Sequence, residues 1–230
     1  MTLGTRNKIT KNAGKPGPDC PRCPRLVAFR ERWRAEKPDW HNAPVPSFGP
    51  INARVLIVGL APGLQGANRT GRPFTGDWAG DLLYETLDEF GFSCGKYDEQ
   101  PDDGLTLVDC RISNGVRCVP PENKPLPVEI NNCRDFLKET IAEMPNLRAI
   151  VTLGRISHET TVKALNGKRA DAPFTHGSAA SVGPVTIFAS YHCSRYNTNT
   201  GVLTPKMFKA VFATVRAFLD DANAKTAARR

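Results

Sequence analysis

Directly after the apolar run VLIV (55–58), the chain reads GLAPGLQGANRTGRPFTGD over residues 59–77. Gly59, Pro62 and Gly63 let the backbone turn sharply and aim N–H groups at an anion. An ordinary strand-to-loop turn is the plain alternative. The stretch lacks GxxxxGK[ST], and with it the lysine and hydroxyl that handle a nucleoside triphosphate and its magnesium. It is not GxGxxG either, so a dinucleotide fold is disfavoured. At its far end Asp77 opens a helical pattern, where a carboxylate caps as readily as it catalyses. Asp81 is the competing carboxylate one turn later.

A second chemistry is written in the cysteines. Cys20 and Cys23 form CPRC, and fourteen residues separate Cys118 from Cys133. A CxxC pair grips one metal centre, and two further thiolates complete four ligands for zinc or an iron–sulfur cluster. A redox pair with two buried small residues is the competing reading. The total of seven is odd, and the N-terminus MTLGTRNKITKNAGK has no apolar core of the secretory kind. A disulfide framework is therefore disfavoured and a cytoplasmic setting expected, with Cys94, Cys110 and Cys193 as ordinary cysteines.

These residues need a scaffold. Four β-branched-rich apolar runs, at 54–60, 105–109, 147–154 and 184–190, read as strands covered on both faces. Helical patterns follow at 77–91, 126–144, 156–166 and 205–222, with an extra helix RLVAFRERWRAE near the start. The alternation predicts one domain over 1–230: a three-layer α/β/α sandwich on a central, mostly parallel four-stranded sheet. Residues 1–19 are expected as a basic arm and 223–230 as a frayed tail. GLAPG, RISNGVRC and SYHCSRYNTNTG each follow a strand, so they converge on the rim where open parallel sheets bind ligands. A net charge of +8, from 31 basic and 23 acidic residues, favours a polyanionic partner. No apolar stretch is long enough to span a membrane.

The motifs in order, GLAPG, NRTGRPFTGD, NGVRC and an HxS loop running into NTNTG, resemble the family 5 (type B) uracil-DNA glycosylases. CxxC followed by C-x14-C resembles the iron–sulfur pattern shared by families 4 and 5. Leu60 stands where family 4 typically has an acidic residue, which favours family 5. Cys193 departs from the proline common after the histidine, and a less rigid loop is expected there.

The resemblance implies a monofunctional enzyme that removes uracil or other deaminated bases from double- or single-stranded DNA, working as a monomer without a membrane. It flips the base into a pocket, since the glycosidic bond is out of reach inside a duplex. Gly59, Leu60, Ala61, Pro62 and Gly63 would border the flipped nucleotide, and Phe74 would stack on the base. Asp77 would orient the attacking water. Asn114 would meet the edge of uracil with a donor and an acceptor, and His192 would donate to O2 of the departing base. Ser194, Arg195, Tyr196 and Asn197 would contact the backbone or wedge into the vacated space. Cys20, Cys23, Cys118 and Cys133 would hold a [4Fe–4S] cluster. The chief rival is a non-enzymatic iron–sulfur protein that binds nucleic acid; a nucleotide phosphotransferase is disfavoured by the missing phosphate lysine.

Overall fold

The structure, a computed structural model, describes residues 15–227. Residues 1–14 of the expected arm and 228–230 of the expected tail lie outside the described residues.

In chain order the elements are α1 (Pro24–Glu36), β1 (Val55–Gly59), α2 (Ala67–Thr70), α3 (Trp78–Glu89), β2 (Ser93–Cys94), β3 (Thr106–Leu107), β4 (Cys110–Asn114), α4 (Pro127–Ala142), β5 (Ala149–Leu153), α5 (Arg155–Ala164), β6 (Ala179–Val182), β7 (Val185–Ser190), α6 (Arg195–Asn199) and α7 (Pro205–Ala227). The main sheet has the order β4-β1-β5-β7-β6. Its first four strands are parallel, and β6 closes the far edge antiparallel to β7. Helices α3 and α7 cover one face, where Leu83, Leu87, Phe208 and Phe212 meet Val55, Ile57 and Val151. Helices α4 and α5 cover the other, with Leu137 and Ala164 against Leu56, Val58 and Ile150. Apolar residues on both parities of β1 and β5 follow from that double cover: every residue of both strands is buried.

Two features correct the sequence reading. The sheet has five strands rather than four, because Ala179–Val182 turns at Gly183 and pairs with β7. The second strand is also displaced. Of the run 105–109, only Thr106–Leu107 is extended, and it pairs with β2 in a separate two-stranded ribbon. The break falls at Asp109, whose left-handed backbone (φ 53) ends the ribbon. Its carboxylate accepts from the Arg54 backbone N–H at 2.8 Å and from Arg54 Nε at 2.7 Å. The sheet strand is the more polar CRISN, Cys110–Asn114, buried throughout. Its outer edge is sealed where Phe48 and Ile112 exchange backbone hydrogen bonds of 2.9 and 2.7 Å.

Among the described residues, no helix is long and apolar enough to cross a membrane.

Candidate active site

Parallel register places Gly59, the last residue of β1, beside Asn114, the last of β4. At this carboxyl rim lies a cavity of about 620 Å³ bordered by Leu60, Ala61, Pro62, Gly63, Phe74, Asp77, Asn114, His192 and Ser194. Three segments far apart in sequence therefore meet at this rim, although RISN belongs to the sheet strand itself rather than to a loop after it.

The loop 59–77 is held from outside the cavity. The Arg72 guanidinium forms a two-pronged pair with the Asp103 carboxylate at 2.8 and 2.6 Å, their side chains only 5% and 2% exposed. Arg72 Nε donates to Thr75 Oγ1 at 2.7 Å, and the Phe48, Tyr84 and Tyr97 rings surround the cation. The Tyr84 hydroxyl donates to the Pro73 carbonyl at 2.7 Å, and that of Tyr97 to the Phe74 carbonyl at 3.3 Å. These bonds keep Phe74 in a left-handed conformation (φ 54), costly for a bulky residue. Its buried ring thereby faces the cavity, 6.2 Å from the His192 ring.

Asp77 is both cap and cavity wall. It is the N-cap of α3, with Oδ1 accepting from Gly80 N–H at 3.1 Å. A Cβ added to Gly66 would stand 2.5 Å from Oδ2, so Gly66 is what lets the carboxylate lie under the loop. Burial raises its pKa above the ordinary carboxylate value, opposed by the Gly80 and Ala79 N–H groups. Asp81 is exposed and borders a different groove, with Glu85, Asp88 and Tyr97.

Asn114 is buried, and its Oδ1 has no hydrogen-bond partner. A buried amide oxygen left unpaired costs free energy, so this acceptor is built for a donor from outside the chain. Burial lowers the His192 pKa to about 4, which leaves the imidazole neutral in ordinary conditions.

The loop after β7 divides its labour. Ser194 reaches the cavity and caps α6, accepting from Asn197 N–H at 3.4 Å. Asn197 Nδ2 donates to the His192 carbonyl at 2.8 Å, so it fixes the backbone that carries the imidazole. Arg195 lies outside the cavity, its guanidinium 5.4 Å over the Trp78 ring. Cys193 is wholly buried, and its thiol donates to the Ala79 carbonyl at 3.5 Å. In place of the proline common after the histidine, this thiol links the loop to α3. Leu64, Gln65, Gly66, Ala67, Ala79 and Asn123 also border the cavity and escaped the sequence reading. For Gly66, the signal was its place between two other glycines and the carboxylate.

Elsewhere, Cys20, Cys23, Cys118 and Cys133 line one small cavity with Leu26, Val116 and Phe136. Arg25 joins α1 to α4 through two hydrogen bonds of 2.8 Å to Glu129. Among the described residues, no three His, Cys, Asp or Glu side chains are grouped as ligands of a metal ion. N–H donors nevertheless face the sulfurs: Arg117 N to Cys133 Sγ at 3.3 Å and Asn132 Nδ2 to Cys23 Sγ at 3.8 Å. Burial pushes the thiols of Cys118 and Cys133 up to about 12 and about 11.

A rim of polar loops on a doubly covered parallel sheet, enclosing a carboxylate, a neutral imidazole and an unpaired amide, marks an α/β enzyme. The family model of the uracil DNA glycosylase superfamily matches residues 46–216, and the chain belongs to that superfamily. It is 45% identical over 199 residues to the type-5 uracil-DNA glycosylase of Thermus thermophilus, spanning 84% of this chain and 90% of that protein. The type-5 uracil-DNA glycosylase of Pyrobaculum aerophilum is 40% identical over 190 residues, 81% of this chain and 83% of that protein. The type-4 uracil-DNA glycosylase of Archaeoglobus fulgidus is 33% identical over 154 residues, covering 60% and 69%. The expectation from Leu60, type 5 over type 4, agrees with that order.

Proposed function

We propose that this protein is a DNA-repair glycosylase that hydrolyses the bond between uracil and deoxyribose in DNA, leaving an abasic site. The observation that carries the mechanism is the unpaired Asn114 Oδ1, buried in the cavity that Asp77, His192 and Phe74 also border. With the uracil flipped in, that oxygen accepts from the base N3–H, and Phe74 stacks on the ring. The neutral His192 imidazole donates to O2. As the C1′–N1 bond breaks, its electron pair leaves with the base, and the anion is spread toward O2, where that donor waits. Asp77 orients the attacking water, offsets the positive charge that grows on the sugar and accepts the proton the water gives up. Leu60 places no charge beside the base, so other deaminated bases are accepted as well. The enzyme is read as a cytoplasmic monomer acting on double- or single-stranded DNA.

The four cysteines, which line one small cavity, are read as the ligands of a [4Fe–4S] cluster. Arg30 and Arg117 are buried beside them; Nε of each lacks a hydrogen-bond partner, although that of Arg30 is ion-paired with Glu31 at 3.7 Å. Burial pulls the Arg117 pKa down to about 10, while negative charge at Cys133 pulls it back up. Thiolates on a cluster would supply such charge beside it. Such a cluster would tie the segment before α1 to α4 and the loop after β4.

Release of free uracil from a labelled oligonucleotide tests the function. The expected products are uracil and an abasic strand; intact DNA bound without turnover would leave the non-enzymatic reading. Iron and sulfide content with a visible charge-transfer band tests the cluster, and a colourless protein with stoichiometric zinc would overturn it.

A further inference from the structure

The residue after Asp77 is a tryptophan that half protrudes from the protein. Trp78 is 49% exposed although it starts α3 beside the cavity, and Tyr196 in α6 is 75% exposed. Trp78 is not loose. Its Nε1 donates to Thr198 Oγ1 at 3.2 Å, and the Arg195 guanidinium lies 5.4 Å over its ring. A ring held at its edge and covered by a cation on one side, yet half in water, is a prepared surface without an occupant. Its position names the occupant. Trp78 and Arg195 directly follow Asp77 and Ser194, both cavity-wall residues, so the two side chains sit on the backbone that borders the cavity without lining it themselves.

We propose that Trp78 is a stacking platform for an unpaired DNA base next to the flipped nucleotide. The inference rests on the reading of the cavity as the site for a flipped base. Stacking on an aromatic face is indifferent to base identity, which suits an enzyme that must work in any sequence. Arg195 serves the same contact twice, steadying the ring from one side and offering its charge to the adjacent phosphate. The Thr198 bond and the Arg195 cover fix the ring before DNA arrives, so little side-chain freedom is lost on binding. Because Trp78 spans from α3 to α6, it also joins the element that carries Asp77 to the loop that carries His192.

Quenching of tryptophan fluorescence on titration with DNA containing a stable abasic analogue tests this. The wild type should show a quench that Trp78→Phe removes, because Trp33 and Trp40 stack on each other elsewhere, near α1. Trp78→Phe keeps a ring and should bind within a few-fold of wild type. Trp78→Ala should weaken binding by about tenfold or more, the lower range expected for one lost base–aromatic stack. Equal affinity of Trp78→Ala and wild type would overturn the proposal. So would equal losses in Trp78→Ala and Trp78→Phe, which would assign the effect to the Thr198 bond rather than to stacking. Uracil release by the wild type is read separately. A quench without uracil release would sink the proposed function and leave the platform; release with affinity unchanged in Trp78→Ala would do the reverse.

Discussion

The Phe74 ring lies over the Cα of Gly59: a Cβ added there would stand 2.7 Å from Phe74 Cζ and would overlap Asn114 Oδ1. Gly59 is therefore less a flexible turn than an empty space that two site residues share. The anion-binding role suggested by the glycine-rich stretch is not needed to explain this glycine.

Gly59→Ala should consequently damage chemistry as well as folding. Neither neighbour yields cheaply, since Asn114 ends a buried strand and Phe74 is held by the bonds around Arg72 and Tyr97. Displacing a positioning group by about 1 Å costs on the order of 100-fold in rate. Single-turnover uracil release should fall by about that factor, with a melting temperature lowered by the several degrees that about 1–3 kcal/mol of overpacking costs. A near-normal rate would show that the amide and the ring need not sit where they do.

Asp77→Asn separates the two duties of that residue. Asn caps a helix about as well as Asp, so the fold loses nothing while the carboxylate goes. The chemical step should slow by about 100-fold or more, and Asp81→Asn, which faces another groove, should stay near wild type. Stability should move the opposite way. Burial raises the folded-state pKa of Asp77, so its contribution is full below the ordinary carboxylate value and is lost as pH rises through the raised one. At pH 7 the Asn variant should melt at or above the wild-type temperature, with the difference vanishing below about pH 4. A variant that is less stable but fully active would make Asp77 only a cap.

The sequence was most readable where chemistry and local pattern coincide. The loop 59–77 stands out because glycines, a phenylalanine and an acid crowd one strand end, and β1, β5 and β7 because burial on both faces demands continuous apolar residues. The strand bearing Asn114 was harder. CRISN carries an arginine, a serine and an asparagine, and its burial depends on Phe48 crossing from a distant connector. Apolar LTLVD looked more like a strand, yet Asp109 breaks it through a bond to Arg54 that no local pattern encodes. β6 was missed because its outward positions are exposed and it is only four residues long. Asn197 could be placed near the site from its loop, but only coordinates show it bonded to the His192 carbonyl.

The imidazole gives a pH prediction of its own. Burial lowers the His192 pKa to about 4, so the ring is a neutral donor throughout the usual range. The single-turnover rate should rise with pH as Asp77 ionises and should show no fall between about pH 6 and pH 8, the interval where an unperturbed histidine titrates. A rate that declines across that interval would mean the imidazolium is the active form. The sign for stability is the reverse of that for Asp77. With its pKa lowered, the half-buried ring resists a proton that the unfolded chain accepts, so its contribution fades as pH falls from about 6.5. His192→Gln should flatten that part of the stability profile.

The last prediction concerns a pair that never touches the cavity. Arg72 and Asp103 are both nearly solvent-free, and Asp103 also accepts the backbone N–H of Asp98 at 2.9 Å and of Leu105 at 3.0 Å. The Arg72 hydrogen bonds hold the Asp103 carboxyl well below the usual carboxylate range. Its stabilising contribution is thus present above the ordinary pKa and lost as pH falls toward the depressed one. Asp103→Asn strands the guanidinium among Phe48, Tyr84 and Tyr97, and leaving a buried charge unpaired costs about 3 kcal/mol or more. Denaturant titrations at pH 7 should show that loss, and the gap to wild type should begin to narrow below about pH 4, where the unfolded chain's carboxyl takes up its proton, and close only as pH approaches the depressed native value. The catalytic consequence is more telling. Arg72 suspends the segment that sets Phe74 in its left-handed turn and Asp77 at the start of α3, so uracil release should slow although no cavity wall has changed. If Asp103→Asn loses stability but keeps the full single-turnover rate, the turn at Phe74 is held by Tyr84 and Tyr97 alone, and the ion pair serves folding only.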